Sequence, residues 1–290
     1  MGKPLKDWDV GIYYGIKTGF NEAFIIDMQK REEILANCRT EEERRRTEGI
    51  IKPVLRGRDI FRYGYKWAGL WIILAKFGFH KVARFYPAVI EHLAKYEKEL
   101  KQRGQCRYNR AGQRISNKGY PGQHHWLELD NNPSDEYLSE FEKEKIVWAE
   151  TADRIKMAIV PPGIYLLKTC FVLTGKKLKY ILAVSNSKLM DWFVRQCVYR
   201  LGEEGVYASG YFMEILPIPP ITPQNQEIAK QLERLVDEIL SFTQSEDYLE
   251  NPEKQRRVQE LERKIDELVY KLYGLNEEEI RIVEERFRGN

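Results

Sequence analysis

The sequence has few cysteines, and no two of them form a closely spaced pair. The four, at positions 38, 106, 170 and 197, are scattered along 290 residues without a C-x-x-C motif. Disulfide frameworks and thiolate zinc sites need clustered cysteines, so the spacing argues against both and favours a reducing compartment. The N-terminus lacks an apolar signal core, and the longest apolar runs fall far short of the ~18 residues of a membrane span. We therefore expect a cytoplasmic protein with no membrane partner.

Familiar catalytic motifs are also missing. The string Gly175-Lys176-Lys177 lacks the upstream glycine of a phosphate-binding loop, and the four histidines form no H-E-x-x-H motif or triad. Two Glu-x-Lys strings, Glu99–Lys101 and Glu262–Lys264, match a nuclease motif by letter. Both lie on predicted helices without a metal-binding acid at a matching distance upstream. The sequence therefore predicts no catalytic residue, no metal site and no cofactor in this chain.

Charge is abundant, but its two signs are unevenly distributed. Residues 1–216 carry 36 Lys and Arg against 27 Asp and Glu, and residues 217–290 carry 11 against 17, which gives balances of +9 and −6. Residues 52–118 alone hold 16 basic and 4 acidic side chains, with tyrosines and tryptophans between them. A basic body with interleaved aromatics is typical of a protein that binds a polyanion. The alternative is a soluble surface whose charges happen to cluster.

A proline-rich stretch divides the chain. Four prolines fall within residues 217–223, which favours a stiff, extended connector. We therefore predict a basic, mixed domain over residues 1–216. The connector and a helical, coiled-coil-like region make up residues 217–290.

The tail has the pattern of an antiparallel helical pair. One apolar stripe runs through Gln224–Ser241, and a second helix is predicted from Asn251-Pro252, a good cap followed by a good first position. Gly274 should end the second helix, and Asn276 should cap a short last one. The second helix carries a heptad seam of Val258, Leu261, Ile265, Leu268 and Leu272.

The first part of the chain predicts strands mixed with helices, so we expect an α+β fold overall. Ile12–Ile16 and Ala23–Ile26 are predicted to form a hairpin, and Met28–Ala36 a helix capped by Asp27. The charged stretch Arg39–Glu48 is predicted to be an exposed connector. The other predicted elements are strands at Leu70–Ala75, Ile146–Glu150, Ile164–Leu167 and Cys170–Leu173, a helix over Tyr86–Arg103, and a helix within Leu178–Cys197.

Gly104–Gln123 has a different composition. It contains no acidic residue and no apolar period, and its basic residues stand among Gly, Asn, Gln and Ser. The pattern predicts a long mobile loop. Loops of that length in a compact domain are often functional.

Seven ordered segments carry a resemblance to a known family. Gly15-Ile16-Lys17-Thr18-Gly19 precedes an apolar run, and Ile51–Ile60 leads a short strand into an Arg-Gly-Arg turn. The others are Tyr86–Ile90, Trp126–Leu129, Lys145–Trp148, Tyr180–Leu189 and Ile215–Pro220. In this order they resemble the TaqI-like C-terminal specificity domain of type IIG restriction-modification enzymes and related adenine methyltransferases. The likeness to the specificity subunits of type I restriction systems is looser.

This resemblance implies a DNA target-recognition module that serves an adenine-N6 methyltransferase. In that family a methyltransferase domain precedes the module, and S-adenosylmethionine is expected there. The present chain lacks the Asn/Asp-Pro-Pro-aromatic tetrad of such an enzyme, since neither 132–135 nor 160–163 qualifies. We therefore expect a fragment or a separate subunit, with double-stranded DNA and a methyltransferase domain or subunit as partners.

The candidate DNA contacts are polar side chains on predicted turns and loops. Lysine and arginine neutralise phosphates, arginine can also pair with guanine, and asparagine or glutamine can pair with adenine. The candidates are Lys17, Thr18, Arg56, Arg58, Arg62, Arg103, Arg107, Asn109, Arg110, Gln113, Arg114, Lys118 and His124. Each of them, taken alone, could equally be an ordinary surface or turn residue.

Two other functions stay open at this point. The chain could be a non-catalytic assembly protein that acts through its C-terminal helices, with an incidental basic face. It could also be a nuclease with an unrecognised site. DNA binding separates the first alternative from a recognition module, and metal-dependent cleavage would reveal the second.

Overall fold

The computed structural model describes residues 2–104, 106, 124–131, 133–197, 200–201 and 205–287. Its strands are β1 (Lys3–Pro4), β2 (Val10–Tyr14), β3 (Ile25–Ile26), β4 (Ile51–Leu55), β5 (Ile60–Phe61), β6 (Gly64–Tyr65), β7 (Trp71–Ile73), β8 (Lys145–Ala149), β9 (Thr151–Ala152), β10 (Met157–Val160), β11 (Tyr165–Leu166), β12 (Cys170–Gly175), β13 (Arg200–Leu201), β14 (Gly205–Tyr207) and β15 (Pro217–Ile218). Its α-helices are α1 (Asn21–Phe24), α2 (Met28–Ala36), α3 (Glu41–Ile50), α4 (Phe79–Val82), α5 (Pro87–Ala94), α6 (Glu97–Lys101), α7 (Asp135–Ser139), α8 (Leu178–Ser185), α9 (Lys188–Cys197), α10 (Gly210–Glu214), α11 (Gln226–Thr243), α12 (Pro252–Tyr273) and α13 (Glu277–Glu285). The mixed α+β class predicted from the sequence is confirmed.

A four-stranded antiparallel sheet carries both hydrophobic cores of the described fold. Its strands stand in the order β10-β8-β12-β2. Val172 of β12 lies opposite Val147 of β8 on one side and Tyr13 of β2 on the other. Because side chains alternate along a strand, each strand of this sheet supplies residues to both faces. Each face packs into a core of its own.

The first core lies on the face that carries Trp148 and Leu173. Helices α8, α11 and α12 pack over it, and they contribute Tyr180, Val236 and Leu261, all at 0% exposure. Burying side chains of this size stabilises the fold by roughly 1.5–3 kcal/mol each before cavity effects are counted. The C-terminal helices therefore pack against the same sheet as the rest of the chain.

The second core lies on the opposite face, between the central sheet and a second one. The second sheet has the order β11-β4-β7-β3, with β11 and β4 parallel. Val147 and Val172 of the central sheet face Val54, Ile72 and Phe24 in this core. Helix α3 packs beside the second sheet, and α2 packs against α3 and α5. Ile34 of α2 and Val89 of α5 belong to the second core.

Helices α11 and α12 form the antiparallel pair that the apolar patterns predict. Near the turn between them, the Lys254 ammonium lies 3.0 Å from the Ser245 hydroxyl. One turn further along, the Arg257 guanidinium donates to Glu238 of α11 at 2.8 Å. Leu261 of the heptad seam is fully buried between the helices and the sheet. The seam thus packs inside this chain.

The helix ends predicted from the sequence are also confirmed. The Asp27 carboxylate accepts the backbone N–H of Lys30 at 2.7 Å at the start of α2. Asn251 and Asn276 accept backbone N–H groups in the first turns of α12 and α13. Gly274 ends α12 in the left-handed region with φ +69°, which glycine adopts without strain.

The hairpin predicted over Ile12–Ile16 and Ala23–Ile26 is wrong. Strand β2 pairs with β12, and Ile25 of β3 pairs with Ile72 of β7 in the other sheet. Short helix α1 includes Ala23 and Phe24, so only Ile25 and Ile26 of the second segment form a strand. Alternation of apolar residues predicts strands but does not choose their partners, and two long-range pairings replace the local one.

Two stretches have a helical structure that differs from the sequence-based prediction. The charged stretch Arg39–Glu48 is mostly helix α3, because Thr40 caps the Glu43 N–H at 3.1 Å and charged pairs follow at i,i+4. The helix predicted over Tyr86–Arg103 is instead two helices, α5 and α6, separated at Lys95–Tyr96. The long loop predicted over Gly104–Gln123 lies, apart from Gly104 and Cys106, outside the described residues.

The tail is tied to the start of the chain as well as to the sheet. Strand β1 pairs with β15, which places Lys3 opposite Ile218. Shared core contacts join the residues before and after position 216. The predicted division of the chain into two regions at residue 216 therefore stays a prediction. In the part of the chain that the structure describes, no helix combines the length and apolar character needed to cross a bilayer.

A buried carboxylate fastens α12 to the start of α9. Asp266 is 4% exposed, and its Oδ1 accepts the backbone N–H of Lys188 at 2.8 Å. Burial raises the pKa of Asp266 to about 6, while the charges of Arg62 and Lys188 oppose the shift and that of Glu262 adds to it. The carboxylate is therefore costly to ionise in the folded protein.

We expect Asp266→Asn to change how stability depends on pH. An unfolded aspartate titrates near pH ~4, so between about pH 4 and 6 the unfolded chain binds fewer protons than the folded one. The free energy of unfolding then falls as the pH rises through this window. Asparagine keeps the acceptor for the Lys188 N–H but does not titrate.

Urea titrations at pH 4, 5, 6 and 7 would measure this effect. The stability of the variant relative to the unmodified chain should rise between pH 4 and 6 and then level off. A difference that is independent of pH would contradict the burial of this carboxylate.

Candidate nucleic-acid interface

Several strands end at one edge of the molecule. Strand β11 continues along the end of β4, because the Leu167 N–H donates to the Leu55 carbonyl at 3.1 Å. At the end of β8 the Glu150 N–H donates to the Thr169 carbonyl at 2.8 Å. A Cβ added to Gly57 would lie 3.6 Å from that same carbonyl. The turns after β4, β8 and β11 are therefore neighbours.

The Gly15–Gly19 turn docks onto this edge. Ile16 forms a parallel bridge with Leu167, and the Lys168 N–H donates to the Ile16 carbonyl at 2.9 Å. A Cβ on Gly15 would lie 2.1 Å from the Leu167 carbonyl oxygen, which no side chain could tolerate. Gly19 has φ +72°. Both glycines are needed to bring this turn against the strands.

Four cations lie around these strand ends and the turn docked on them. They are Lys17, Arg56, Arg58 and Lys168, and we call this set the basic edge. The first three were predicted from the sequence as DNA contacts. Lys168 was not, because a single lysine in a turn between two buried strands carries no local signal. Only the pairing of β11 and the Gly15–Gly19 turn reveals its position.

The four cations differ in how far they are neutralised. Lys17 lies 3.2 Å from the Asp130 carboxylate and is about one third exposed. The Arg56 guanidinium binds Asp59 at 2.7 Å, and this pair closes the turn after β4. Arg58 and Lys168 are exposed, and neither has an ion-pair partner among the described residues. These two side chains are available to an anion without the loss of an existing contact.

A groove of about 1060 Å³ elsewhere on the molecule is also rich in lysine. Its lysines are paired, however. Lys176 contacts Asp9, Lys177 contacts Glu233 and Lys179 contacts Asp237. Surface pairs of this kind leave little net positive charge. The basic edge is therefore the better candidate for a polyanion.

Arg103 lies buried under the Gly15–Gly19 turn and not on the surface. Its guanidinium donates to the carbonyls of Thr18 at 2.6 Å, Trp126 at 2.9 Å and Glu128 at 2.7 Å, and its Nε donates to the Leu100 carbonyl at 3.1 Å. Burial lowers the pKa of Arg103, although a nearby carboxylate opposes the shift. The prediction that Arg103 contacts DNA is corrected, because every direction of its fork is taken by the protein.

Thr18 and His124 are also buried, and their predicted DNA contacts are corrected for the same reason. The Thr18 hydroxyl donates to the Asn21 side chain at 2.6 Å. His124 is 0% exposed, with its Nε2 2.5 Å from the Asp130 carboxylate. Both residues hold the turn in place.

Asp130 connects these groups. Burial opposes its ionisation, but the hydrogen bond with His124 and the charges of Arg103 and Lys17 outweigh this and hold its pKa below the usual range. One carboxylate thus positions Lys17 on the edge while it contacts the buried side chains of Arg103 and His124. This hub has no local sequence signature, because the Gly15–Gly19 turn that it holds lies more than eighty residues before Arg103, His124 and Asp130.

Arg62 is largely buried against protein partners, and its predicted DNA contact is corrected for that reason. It occupies the turn between β5 and β6, where its guanidinium donates to the Asn186 carbonyl at 2.7 Å and lies 3.0 Å from Glu262 of α12. The charge of Arg62 is used to fasten this hairpin to the tail.

Six predicted contacts, namely Arg107, Asn109, Arg110, Gln113, Arg114 and Lys118, lie outside the described residues. The residues on either side of that segment are described. Cys106 and His124 pair in a parallel bridge, and His124 binds the same Asp130 that holds Lys17. The chain therefore leaves and re-enters the described fold beside the Gly15–Gly19 turn. The described residues contain no cluster of three His, Cys, Asp or Glu side chains that could hold a metal ion.

The fold is similar to that of a solved restriction-modification enzyme. A search of curated proteins finds no significant match. Among solved structures, the type IIL restriction-modification enzyme MmeI, determined in complex with DNA, is similar with a TM-score of 0.62 at 15% identity. The match covers 97% of this chain and 35% of MmeI, so the chain spans about a third of that protein. The type IIG restriction endonuclease BpuSI matches with a TM-score of 0.46 at 11% identity, over 93% of this chain and 31% of BpuSI.

The family itself is identified from the sequence profile. The TaqI-like C-terminal specificity domain matches residues 52–218, which is more than half of the chain and includes β4 to β15. The structure extends the same unit at both ends, since β1 pairs with β15 and the tail helices pack on the shared sheet. This chain therefore belongs to the TaqI-like C-terminal specificity domain family.

Proposed function

We propose that this chain is the sequence-specific DNA recognition module of a restriction-modification enzyme. The observation that carries the proposal is the basic edge, where Arg58 and Lys168 stand exposed and without ion-pair partners in the described structure. Membership of a specificity-domain family supports the same conclusion. So does the similarity of fold to MmeI, an enzyme whose structure contains DNA.

In this proposal the basic edge fixes the duplex, and other side chains read its sequence. Lysine and arginine contacts to phosphates provide affinity and register but no sequence information. Base reading would fall to side chains of the segment that begins at Cys106 and ends at His124. Arg107, Asn109, Arg110, Gln113, Arg114 and Lys118 stay candidates for that role. The buried hub of Arg103 and Asp130 would keep the segment's ends beside Lys17.

The partner proposed for this module is an adenine-N6 methyltransferase domain or subunit. The family resemblance supports this partner, and S-adenosylmethionine would be held there and not by the present chain. A cytoplasmic location follows from a DNA substrate. The assembly-protein alternative has less support, because the apolar stripes of α11 and α12 are already buried in the first core of this chain.

The basic edge can be tested by charge removal. The triple variant Lys17→Ala, Arg58→Ala and Lys168→Ala should weaken binding to duplex DNA and reduce its salt dependence. Each lost phosphate contact lowers the slope of log affinity against log salt by about 0.9, so a decrease of about 2–3 is expected. Fluorescence anisotropy over a salt series measures both quantities.

A control variant carries the same change in charge at exposed lysines elsewhere. Lys230→Ala, Lys264→Ala and Lys271→Ala should leave the slope nearly unchanged. Equal losses in the two triple variants would mean that only net charge matters and that the edge is no interface. No binding by the unmodified chain at low salt would remove the proposed function.

A further inference from the structure

An aromatic side chain stands out from the surface next to the basic edge. Tyr211 is 73% exposed, the highest value among the large hydrophobic residues that the structure describes as exposed. The ring touches the edge of Phe212, with 5.6 Å between ring centroids, but most of its surface faces solvent. Ile215, one helical turn further on, is 39% exposed and extends the same apolar surface.

The backbone that carries Tyr211 is firmly anchored. The Ala208 carbonyl accepts the indole N–H of Trp148 at 2.8 Å, which fixes it to the first core. A Cβ on Gly210 would lie 3.0 Å from the ring of Phe171, so the helix start lies directly on β12. Met213 of the same helix is fully buried. The exposed ring is thus presented by a rigid element.

Hydrogen bonds place this element beside the cations of the edge. The Ala208 N–H donates to the Glu150 carbonyl, and the Glu150 N–H donates to the Thr169 carbonyl, each at 2.8 Å. Thr169 follows Lys168 in the chain, and Gly57, the neighbour of Arg58, approaches the Thr169 carbonyl. Adjacent strands lie ~5 Å apart. The backbone segment that carries Tyr211 therefore lies only a few strand widths from the exposed cations.

We propose that Tyr211 stacks on a base that is exposed at an unpaired position of DNA bound along the basic edge. This inference rests on the proposed function, because the edge must first hold the duplex. Aromatic rings beside cationic surfaces stack on bases whose faces have been uncovered, and apolar side chains wedge into opened steps. A ring fixed by Gly210 and Trp148 needs no ordering before it stacks, so little affinity is lost to conformational entropy.

The experiment compares two duplexes of the same sequence, one fully paired and one with a single abasic site. Anisotropy titrations use the full chain, Tyr211→Ala and Tyr211→Phe. The unmodified chain should prefer the abasic duplex. Tyr211→Ala should weaken binding to that duplex by about tenfold, the size of one lost base–aromatic stack. Tyr211→Phe should bind as the unmodified chain does, because the ring and not the hydroxyl makes the contact.

Phe77→Ala is the matched control, since Phe77 is 49% exposed but lies on another element, before α4. It should bind both duplexes normally. If the unmodified chain binds DNA and Tyr211→Ala binds the abasic duplex as tightly as the unmodified chain does, the proposal is overturned. If the unmodified chain does not bind DNA at all, the proposed function fails with it. Thermal melting should show all three variants to be folded, because substitutions at exposed positions usually change stability little.

Discussion

Arg103→Met should lower the free energy of unfolding by about 3–5 kcal/mol, the range observed when a buried charged partner is removed. The guanidinium of Arg103 donates to four backbone carbonyls and lies 3.8 Å from Asp130. Methionine would leave those carbonyl acceptors buried without donors. A buried acceptor without a hydrogen bond lowers the free energy of unfolding. Chemical denaturation at neutral pH measures the loss.

Arg103→Lys should recover only part of this stability, because an ammonium cannot reproduce the planar fork. Arg45→Met is the control, since Arg45 is about three quarters exposed. A loss below about 1 kcal/mol in Arg103→Met would mean that the buried contacts are replaced by water. If Arg103 served only to bind DNA, as its basic neighbourhood suggests, stability would not change while affinity fell.

Leu261→Asp should have an effect of similar size. The Leu261 side chain is fully buried where α12 meets the first core, and an unpaired carboxylate there costs several kcal/mol. The sequence alone favours local damage, with the helical pair melting and the basic domain intact. The structure changes this expectation, because α11, α12 and the central sheet share one core. We expect the whole chain to lose stability as one unit.

Circular dichroism and tryptophan fluorescence distinguish the two outcomes. All six tryptophans precede residue 217, and Trp148 lies in the shared core at 1% exposure, so fluorescence reports on the part of the chain before the tail. The helical signal includes the long helices α11 and α12 of the tail. The two unfolding transitions of Leu261→Asp should coincide. A separate early loss of helix would instead support a boundary near residue 216. Leu249→Asp, at a position 42% exposed, should be nearly neutral.

Features defined by neighbouring residues could be predicted from the sequence. The helix start at Asp27, the heptad seam and the end at Gly274 all follow from local chemistry, and the structure confirms them. Strand pairing could not be predicted in the same way. Tyr13 has the same alternation whether its partner is close in the chain or, as found, Val172.

The residues of the candidate site show the same difference between features set by neighbouring residues and features set by tertiary contacts. Lys17 and Arg58 could be found from glycine-rich turns, because such turns are exposed more often than not. Arg103 and His124 also have basic side chains, yet tertiary contacts bury them. Lys168 was missed because its exposure depends on where the Gly15–Gly19 turn docks. Charge in a sequence indicates what a surface can bind, but only packing decides which charges reach the surface.

The bridge between Cys106 and His124 has a consequence for the length of the segment between them. It places the residues that flank the seventeen positions 107–123 next to each other in the fold. The entropy of closing a loop grows slowly with its length, by about 0.6 kcal/mol for each doubling. The length of the segment between Cys106 and His124 can therefore change at a small entropic cost while the bridge that holds its two ends stays the same.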